Sequence, residues 1–160
     1  MTYLVSVTRE NCDAYLDGIL EIENVSFPSP WSHRSFLQEV KNPISHLWAL
    51  TVGGVISGYI CFWMFDSEIQ LINIAVHPDR RSQGLGRLLL TRMIEKGVCN
   101  GMRDIWLEVR LSNLAARGLY QKAGFESVGR RPRYYRDANE DAIIMSLSLT
   151  ERVHHSRLSN

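Results

Sequence analysis

The stretch "RRSQGLGRLLL", Arg80 to Leu90, decides the fold, because it joins an apolar run to an apolar helix through a basic turn. Gly84 and Gly86 in this turn lack side chains, so an anion can approach the backbone N–H groups. The N-terminus of the helix that follows adds a partial positive charge. The turn is therefore suited to hold phosphate, although the pattern alone also fits a plain helix entry.

Spacing excludes two common phosphate-binding loops. A Walker loop needs G-x-x-x-x-G-K-[ST], which the sequence lacks. A dinucleotide-binding fingerprint needs a third glycine at the position that Leu89 occupies. The loop that remains follows a strand-like run and consists of Arg81, Ser82, Gln83, Gly84, Leu85 and Gly86. A pyrophosphate fits its chemistry.

Hydrophobic periodicity along the rest of the chain predicts alternating strands and helices. Apolar runs rich in β-forming residues predict seven strands, at 3–7, 46–52, 55–65, 68–76, 104–109, 125–131 and 141–149. Helical spacing predicts two helices after the first strand and one on each side of the fifth, with Ser32 and Asn113 as N-caps. This order predicts an α/β (α+β) fold, a single mixed, mostly antiparallel sheet with about four helices on both faces.

Length and composition limit the class of protein. A chain of 160 residues with 45% apolar residues predicts one domain over residues 1–150, followed by a polar, flexible tail over residues 151–160. The sequence contains neither a long apolar run nor a signal peptide, so we expect a cytoplasmic protein that contacts no membrane. Three separated cysteines and five histidines without ligand spacing predict no metal site.

Charge is unevenly distributed along the chain. Residues 1–75 carry three Lys/Arg against eight Asp/Glu, a net charge of −5, whereas residues 76–160 carry fifteen against nine, a net charge of +6. This asymmetry would suit one cationic and one anionic ligand, with ordinary surface scatter as the alternative. With a total of only +1, we expect no direct nucleic-acid partner.

Four segments together resemble the GNAT acetyltransferase superfamily and, within it, the RimI type, the bacterial ribosomal-protein-alanine N-acetyltransferases. They are "SFPSPWS" (26–32), "NIAVHPDRRSQGLGRLLL" (73–90), "WLEVRLSNLAARGLYQKAGFE" (106–126) and "RRPRYYRDANEDAIIM" (130–145). The resemblance extends from about Glu23 to Leu149. It implies a GNAT fold that splays between strands four and five, with acetyl-CoA as cosubstrate and no metal.

The resemblance also implies which residues bind acetyl-CoA. They lie at the end of strand four, in the glycine turn and at a helix start: Ile74, Ala75, Val76, Arg81, Ser82, Gln83, Gly84, Leu85, Gly86, Arg87 and Asn113. The backbone N–H of Val76 is the expected donor to the developing oxyanion. Asn113 would also cap its helix, which is the simpler interpretation of that residue.

Glu108 and Tyr120 are the expected catalytic residues. Glu108 lies in an otherwise apolar strand, where a carboxylate is costly unless it is paired or functional. The resemblance implies that Glu108 is the general base and that Tyr120 protonates the leaving thiolate. An ion pair between Glu108 and Arg110, and a core position for Tyr120, are the structural alternatives.

Four aromatic residues are expected to line the acceptor site: Phe27, Trp31, Tyr134 and Tyr135. The tyrosines lie in a predicted loop between the last two strands. Core packing for the first two and a solvated hairpin for the others are the alternatives.

The resemblance implies an acceptor: the N-terminal alanine of a small-subunit ribosomal protein with an arginine-rich start. The acidic first half, including Glu21 and Glu23, could attract such a peptide. An α-amine with a pKa of about 7.8 also costs roughly 3.5 kcal/mol less to deprotonate than a lysine with a pKa of about 10.4. A protein lysine, a polyamine, an antibiotic amine and a catalytically silent acyl-CoA-binding module stay open as alternatives.

Overall fold

The computed structural model describes residues 1–150, so the tail predicted at 151–160 lies outside the described residues. Within this range the chain forms seven strands and four α-helices in the predicted order. Their bounds are β1 Thr2–Ser6, α1 Cys12–Ser26, α2 His33–Lys41, β2 Ser45–Val52, β3 Val55–Phe65, β4 Glu68–Val76, α3 Leu85–Cys99, β5 Asp104–Arg110, α4 Leu114–Lys122, β6 Glu126–Tyr135 and β7 Glu140–Ser148. A short 3₁₀-helix, Pro78–Arg80, lies between β4 and α3.

The strands form one sheet in the order β1-β2-β3-β4-β5-β7-β6. Strands β1, β2 and β3 pair antiparallel, as do β5, β7 and β6. Strands β4 and β5 run parallel and pair over three residues, from Glu68 with Asp104 to Gln70 with Trp106. These pairs lie at the beginnings of the two strands. The predicted mixed sheet is confirmed.

Backbone contacts divide the chain into two compact units. The first unit comprises residues 1–64 and 72–89, and the second comprises residues 65–71 and the described residues from Leu90 onward. The chain passes between the units at the end of β3, within β4 and within α3. The single domain over residues 1–150 stays a prediction.

The core of the first unit forms between α1, α2 and the strands β2 and β3. Leu16, Ile19 and Ile22 of α1 are buried at helical spacing in the same cluster as Phe36 and Tyr59. Gly18 lies in the middle of α1, where an added Cβ would approach the Ile56 side chain to 2.5 Å. A larger residue would require the Ile56 side chain to shift, so close packing favours glycine here although glycine is unfavourable inside a helix.

Strand β5 in the second unit alternates as the sequence predicts. Ile105, Leu107 and Val109 are buried on one face, while Trp106, Glu108 and Arg110 share the other and are partly exposed. This alternation directs the polar side chains of β5 to a single face.

Strand β6 is longer than the sequence predicts. The predicted strand ends at Arg131, but β6 continues to Tyr135, with an irregularity in its pairing to β7 between these residues. Arg133 in this irregular part has a φ of 54°, a conformation typical of bulges. Tyr134 and Tyr135 are therefore strand residues, and the prediction of a loop at these positions is wrong. Pro132 and the charged side chains around it hid the strand pattern.

A buried carboxylate joins three segments of the first unit. Glu23 is 1% exposed, on the core side of α1. Its Oε2 accepts hydrogen bonds from the Tyr59 hydroxyl and from Asn73 Nδ2, the latter at 2.8 Å. Its Oε1 accepts from the backbone N–H of Trp31 at 2.9 Å. Burial, followed by the charge of Glu23, raises the pKa of Tyr59, so the phenol stays protonated and donates.

The substitution Glu23→Gln should lower the free energy of unfolding by roughly 1–3 kcal/mol, because one acceptor oxygen becomes an NH₂ donor that faces other donors. Urea unfolding measures this loss. Glu21→Gln, on the exposed side of the same helix, is the matched control and should change stability by less than about 0.5 kcal/mol. Equal losses in the two variants would show that the hydrogen bonds to Glu23 contribute no stability of their own.

Candidate functional site

The glycine turn in the first unit contains two residues with left-handed backbone. Ser82 and Gly84 have φ angles of 63° and 77°, and α3 begins at Leu85. Leu85 is buried and anchors the turn, whereas the residues from Arg81 to Gly84 are exposed. Leu88 N–H donates to the Gly84 carbonyl, so the N–H groups before Leu88 form the first turn of α3, where groups of this kind bind anions.

The side chain of Arg81 turns back onto the first unit. Its Nε donates to the Val76 carbonyl at 3.2 Å, and its Nη2 lies 3.5 Å from Ser26 Oγ. Arg81 thereby fixes the turn to the end of β4. Arg87, in the first turn of α3, is exposed.

The end of β4 is ordered by the Glu23 network. Asn73 binds Glu23 through its side-chain nitrogen, and its Oδ1 accepts from the Ile74 N–H at 3.1 Å. Ala75 is buried, while Ile74 and Val76 are partly exposed. The segment predicted to contact the pantetheine arm is therefore a fixed strand end. Its role in acetyl-CoA binding stays a prediction.

The two aromatic residues predicted for the acceptor wall pack against the core of the first unit. Phe27 and Trp31 are both partly buried against the core cluster, and the Trp31 ring lies 5.2 Å from that of Phe36. Part of each side chain packs in the core, as the alternative interpretation expected, and part is exposed. The acceptor role of both residues stays a prediction.

The proposed acidic attraction for a cationic peptide needs a correction. Glu23 is buried and accepts three hydrogen bonds, so it faces no peptide. Glu39 is also engaged, because its Oε2 accepts from Trp63 Nε1 at 2.7 Å. Glu21 is exposed. Counting acidic residues in the sequence did not distinguish a carboxylate inside the core from one on the surface.

Glu108 in the second unit lies among residues of β6. Its side chain is 19% exposed, and its Oε1 is 3.2 Å from Arg131 Nε. Hydrogen bonding to Glu108 is the main cause that raises the pKa of Tyr134. The guanidinium of Arg131 lies over the Tyr134 ring, 5.5 Å from its centre. The carboxylate expected to be the base is thus held between a cation and a phenol.

Arg110, the alternative partner for Glu108, instead binds the loop that joins β6 to β7. Its two terminal nitrogens donate to Asp137 at 2.8 and 2.6 Å, and Glu140 lies at 3.6 Å. The guanidinium also stacks on the Tyr135 ring at 4.1 Å. Glu140 accepts from the backbone N–H of Ser112 at 2.6 Å, which extends the cluster to the start of α4. This cluster fixes the end of the β6–β7 hairpin to β5.

Tyr120 and Tyr135 are both protonated at neutral pH. Burial, followed by the nearby Tyr135, raises the pKa of Tyr120 above its usual range. Burial also raises the pKa of Tyr135 to about 12. Tyr120 packs against Phe125 with ring centres 5.8 Å apart, so the core position offered as the alternative describes its ring. A protonated phenol is the form that can donate to a thiolate.

Within the second unit Tyr134 hydrogen-bonds to Glu108 and packs edge-on against Tyr135 with ring centres 5.1 Å apart, and Tyr120 interacts electrostatically with Tyr135. Asn113 is the predicted cap of α4, since its Oδ1 accepts from the Ala116 N–H at 3.1 Å.

Sequence reasoning did not single out Arg131, and it assigned Glu23 to the surface instead of the core. Arg131 is one member of an arginine-rich segment, and nothing in the pattern singled it out. Glu23 carried a signal, because it continues the apolar spacing of Cys12, Leu16 and Ile19 along α1. A carboxylate on the buried stripe of a helix indicates a hydrogen-bonded core residue.

Residues 1–150 hold no group of three or more His, Cys, Asp or Glu arranged to bind a metal. This part of the chain also has no helix long and apolar enough to cross a membrane.

Comparison with known proteins identifies the family. Residues 16–125 match the Acetyltransferase (GNAT) family. The chain is 37% identical to the [ribosomal protein bS18]-alanine N-acetyltransferase of Escherichia coli K12, over 84% of this chain and 92% of that protein. A Bacillus subtilis protein, described as a candidate for the same activity, is 39% identical over 85% of this chain and 91% of its own length.

A solved structure of the same family is similar to this chain over most of its length. The crystal structure of the ribosomal-protein-S18-alanine N-acetyltransferase from Escherichia coli matches with a TM-score of 0.83 and 35% identity, over 92% of this chain and 94% of that one. Members of this family use acetyl-CoA. The chain belongs to the GNAT acetyltransferase family, which confirms the predicted family and the prediction of an N-acetyltransferase.

Proposed function

We propose that the protein transfers an acetyl group from acetyl-CoA to the α-amine of an N-terminal alanine in a small-subunit ribosomal protein, by direct transfer with both substrates bound. The observation that carries the acceptor is the 37% identity to a named bS18-alanine N-acetyltransferase over 92% of that protein's length. The chemistry is supported by the residues around Glu108 and by the turn before α3.

The turn in the first unit fits the diphosphate of acetyl-CoA, which supplies an activated acetyl thioester. Gly84 holds a φ of 77°, and the exposed turn from Arg81 leads directly into the first turn of α3. Ser82, Gln83, Leu85, Gly86 and Arg87 complete the proposed contacts. Ile74, Ala75 and Val76 would hold the pantetheine arm, and the Val76 N–H would donate to the carbonyl oxygen under attack. Asn113, in the second unit, stays a predicted contact of the cosubstrate.

Glu108 and Tyr120 are the proposed proton-transfer residues. Glu108 takes a proton from the acceptor nitrogen, directly or through a water, as that nitrogen forms its bond to the acetyl carbon. Tyr120 gives its proton to the sulfur as the carbon–sulfur bond breaks, and its raised pKa keeps that proton in place beforehand. Phe27, Trp31, Tyr134 and Tyr135 would line the path of the peptide.

An α-amine suits this machinery better than a lysine. Deprotonating lysine at neutral pH costs roughly 3.5 kcal/mol more, which a single carboxylate base must supply. Because ribosomal proteins are made in the cytoplasm, a reaction with this acceptor would take place there.

The acceptor can be tested by mass spectrometry on a peptide that begins Ala-Arg and contains one internal lysine. A twin peptide with a blocked N-terminus is the control. With acetyl-CoA and the protein, we expect acetylation of the α-amine in the first peptide and no product from the twin. Acetylation of the lysine in both peptides would overturn the N-terminal assignment, and no product from either would favour a small-molecule acceptor or a silent module.

Glu108→Gln tests the base. This variant should lower kcat by roughly 10²–10⁴-fold, since it cannot accept the proton, and the limb of the pH profile that reports the base should disappear. The limb that reports the acceptor amine should remain.

Glu126→Gln is the matched control, because Glu126 is an exposed carboxylate at the start of β6. It should keep the wild-type kcat and pH profile. An active Glu108→Gln variant with an unchanged profile would assign the base to another residue.

A further inference from the structure

The ion pair between Arg131 and Glu108 has no place in the proposed reaction. A carboxylate that acts as base must present an oxygen to the acceptor, yet Oε1 of Glu108 lies 3.2 Å from Arg131 Nε. The other contact of Arg131 is with the face of the Tyr134 ring at 5.5 Å. A cation thus occupies one oxygen of the carboxylate that the proposed reaction uses as its base.

The Arg131 side chain is bound more weakly than that of Arg110. It is 56% exposed, on the edge strand β6, and exposed ion pairs of this kind are weak. Arg110 is 19% exposed and bound by Asp137, Glu140 and Tyr135. Arg131 can therefore leave its partner at little cost, whereas Arg110 cannot.

We propose that Arg131 is a specificity-determining residue that pairs with Glu108 in the free enzyme and is displaced by the α-ammonium of the acceptor. This inference rests on the proposed function, because it takes Glu108 as the residue that receives the acceptor. Guanidinium and ammonium groups both donate charge-assisted hydrogen bonds to a carboxylate. The exchange keeps Glu108 paired with a cation before and after binding, so no uncompensated charge is left in a partly buried position.

The exchange also selects the acceptor by its charge. A peptide with a free N-terminus brings a cation that replaces the guanidinium. A peptide whose N-terminus is acetylated brings none, so Arg131 keeps its place and the product gains nothing from Glu108. The pair thereby favours substrate over product at the same carboxylate.

The test measures binding of two peptides that begin Ala-Arg, one with a free and one with an acetylated N-terminus. Calorimetry measures the two dissociation constants, with CoA in place of acetyl-CoA so that no acetyl group can be transferred. In Arg131→Gln the free-amine peptide has no cation to displace, so it should bind roughly twofold to fivefold more tightly than to the wild type. The acetylated peptide should bind as before, and Arg131→Lys should behave as the wild type.

Arg130→Gln is the matched control. Arg130 lies on the same strand, is 54% exposed and pairs with Asp141 at 2.5 Å, so its removal changes the same charge without touching Glu108. It should leave the ratio of the two affinities unchanged. An unchanged ratio in Arg131→Gln, or weaker binding of the free-amine peptide, would overturn the inference.

The two proposals fail in distinguishable ways. If the wild type acetylates the free-amine peptide and Arg131→Gln leaves the affinity ratio unchanged, the displacement is wrong and the proposed function stands. If the wild type does not acetylate that peptide, the proposed function and the displacement are both overturned.

Discussion

The paired hydrogen bonds between Arg110 and Asp137 are the interaction on which the arrangement around Glu108 depends. Strand β6 is exposed along almost its whole length, so apolar burial contributes little to the position of its far end. Charge-assisted hydrogen bonds with two nitrogen–oxygen contacts are strong and fix direction as well as distance. The backbone ladder between β5 and β7 ends at Arg110 and Ala142, and the bonds to Asp137 fix the turn of the β6–β7 hairpin beyond that point, together with the stacked Tyr135 ring. Because Tyr134 is the adjacent residue, its place beside Glu108 follows from the same anchor.

Glu23 in the core of the first unit and Arg110 near the surface of the second have the same role, since each holds separate segments of its unit in place through hydrogen bonds. A charge taken out of water is costly, and only a complete set of hydrogen bonds offsets that cost. Tyr59, Asn73 and the Trp31 backbone complete the set for Glu23. The segment before α2 and the end of β4 are consequently both bound to the buried carboxylate of Glu23. A buried carboxylate that lacked some of these hydrogen bonds would be less stable than an apolar side chain, so the network favours a single arrangement of these segments.

Periodicity predicted the order of strands and helices because each element has one buried face, and the caps at Ser32 and Asn113 followed from local chemistry. The end of β6 was not predictable in this way, since its residues are exposed and carry no apolar alternation. Partners of charged side chains were equally hidden. Glu108 and Arg110 share a face of β5, yet each binds residues beyond β5 that sequence spacing cannot identify.

The acidic and basic halves of the sequence do not correspond to an acidic and a basic unit of the folded protein. The basic turn before α3 lies in the second half of the sequence but belongs to the first unit, which holds six Lys/Arg and seven Asp/Glu and is nearly neutral. In the second unit, Arg110, Arg130 and Arg131 are all paired with carboxylates. A broad electrostatic field therefore gives little basis for choosing a substrate. The proposed discrimination therefore rests on a single exchangeable charge, the half-exposed Arg131 that pairs with the partly buried Glu108.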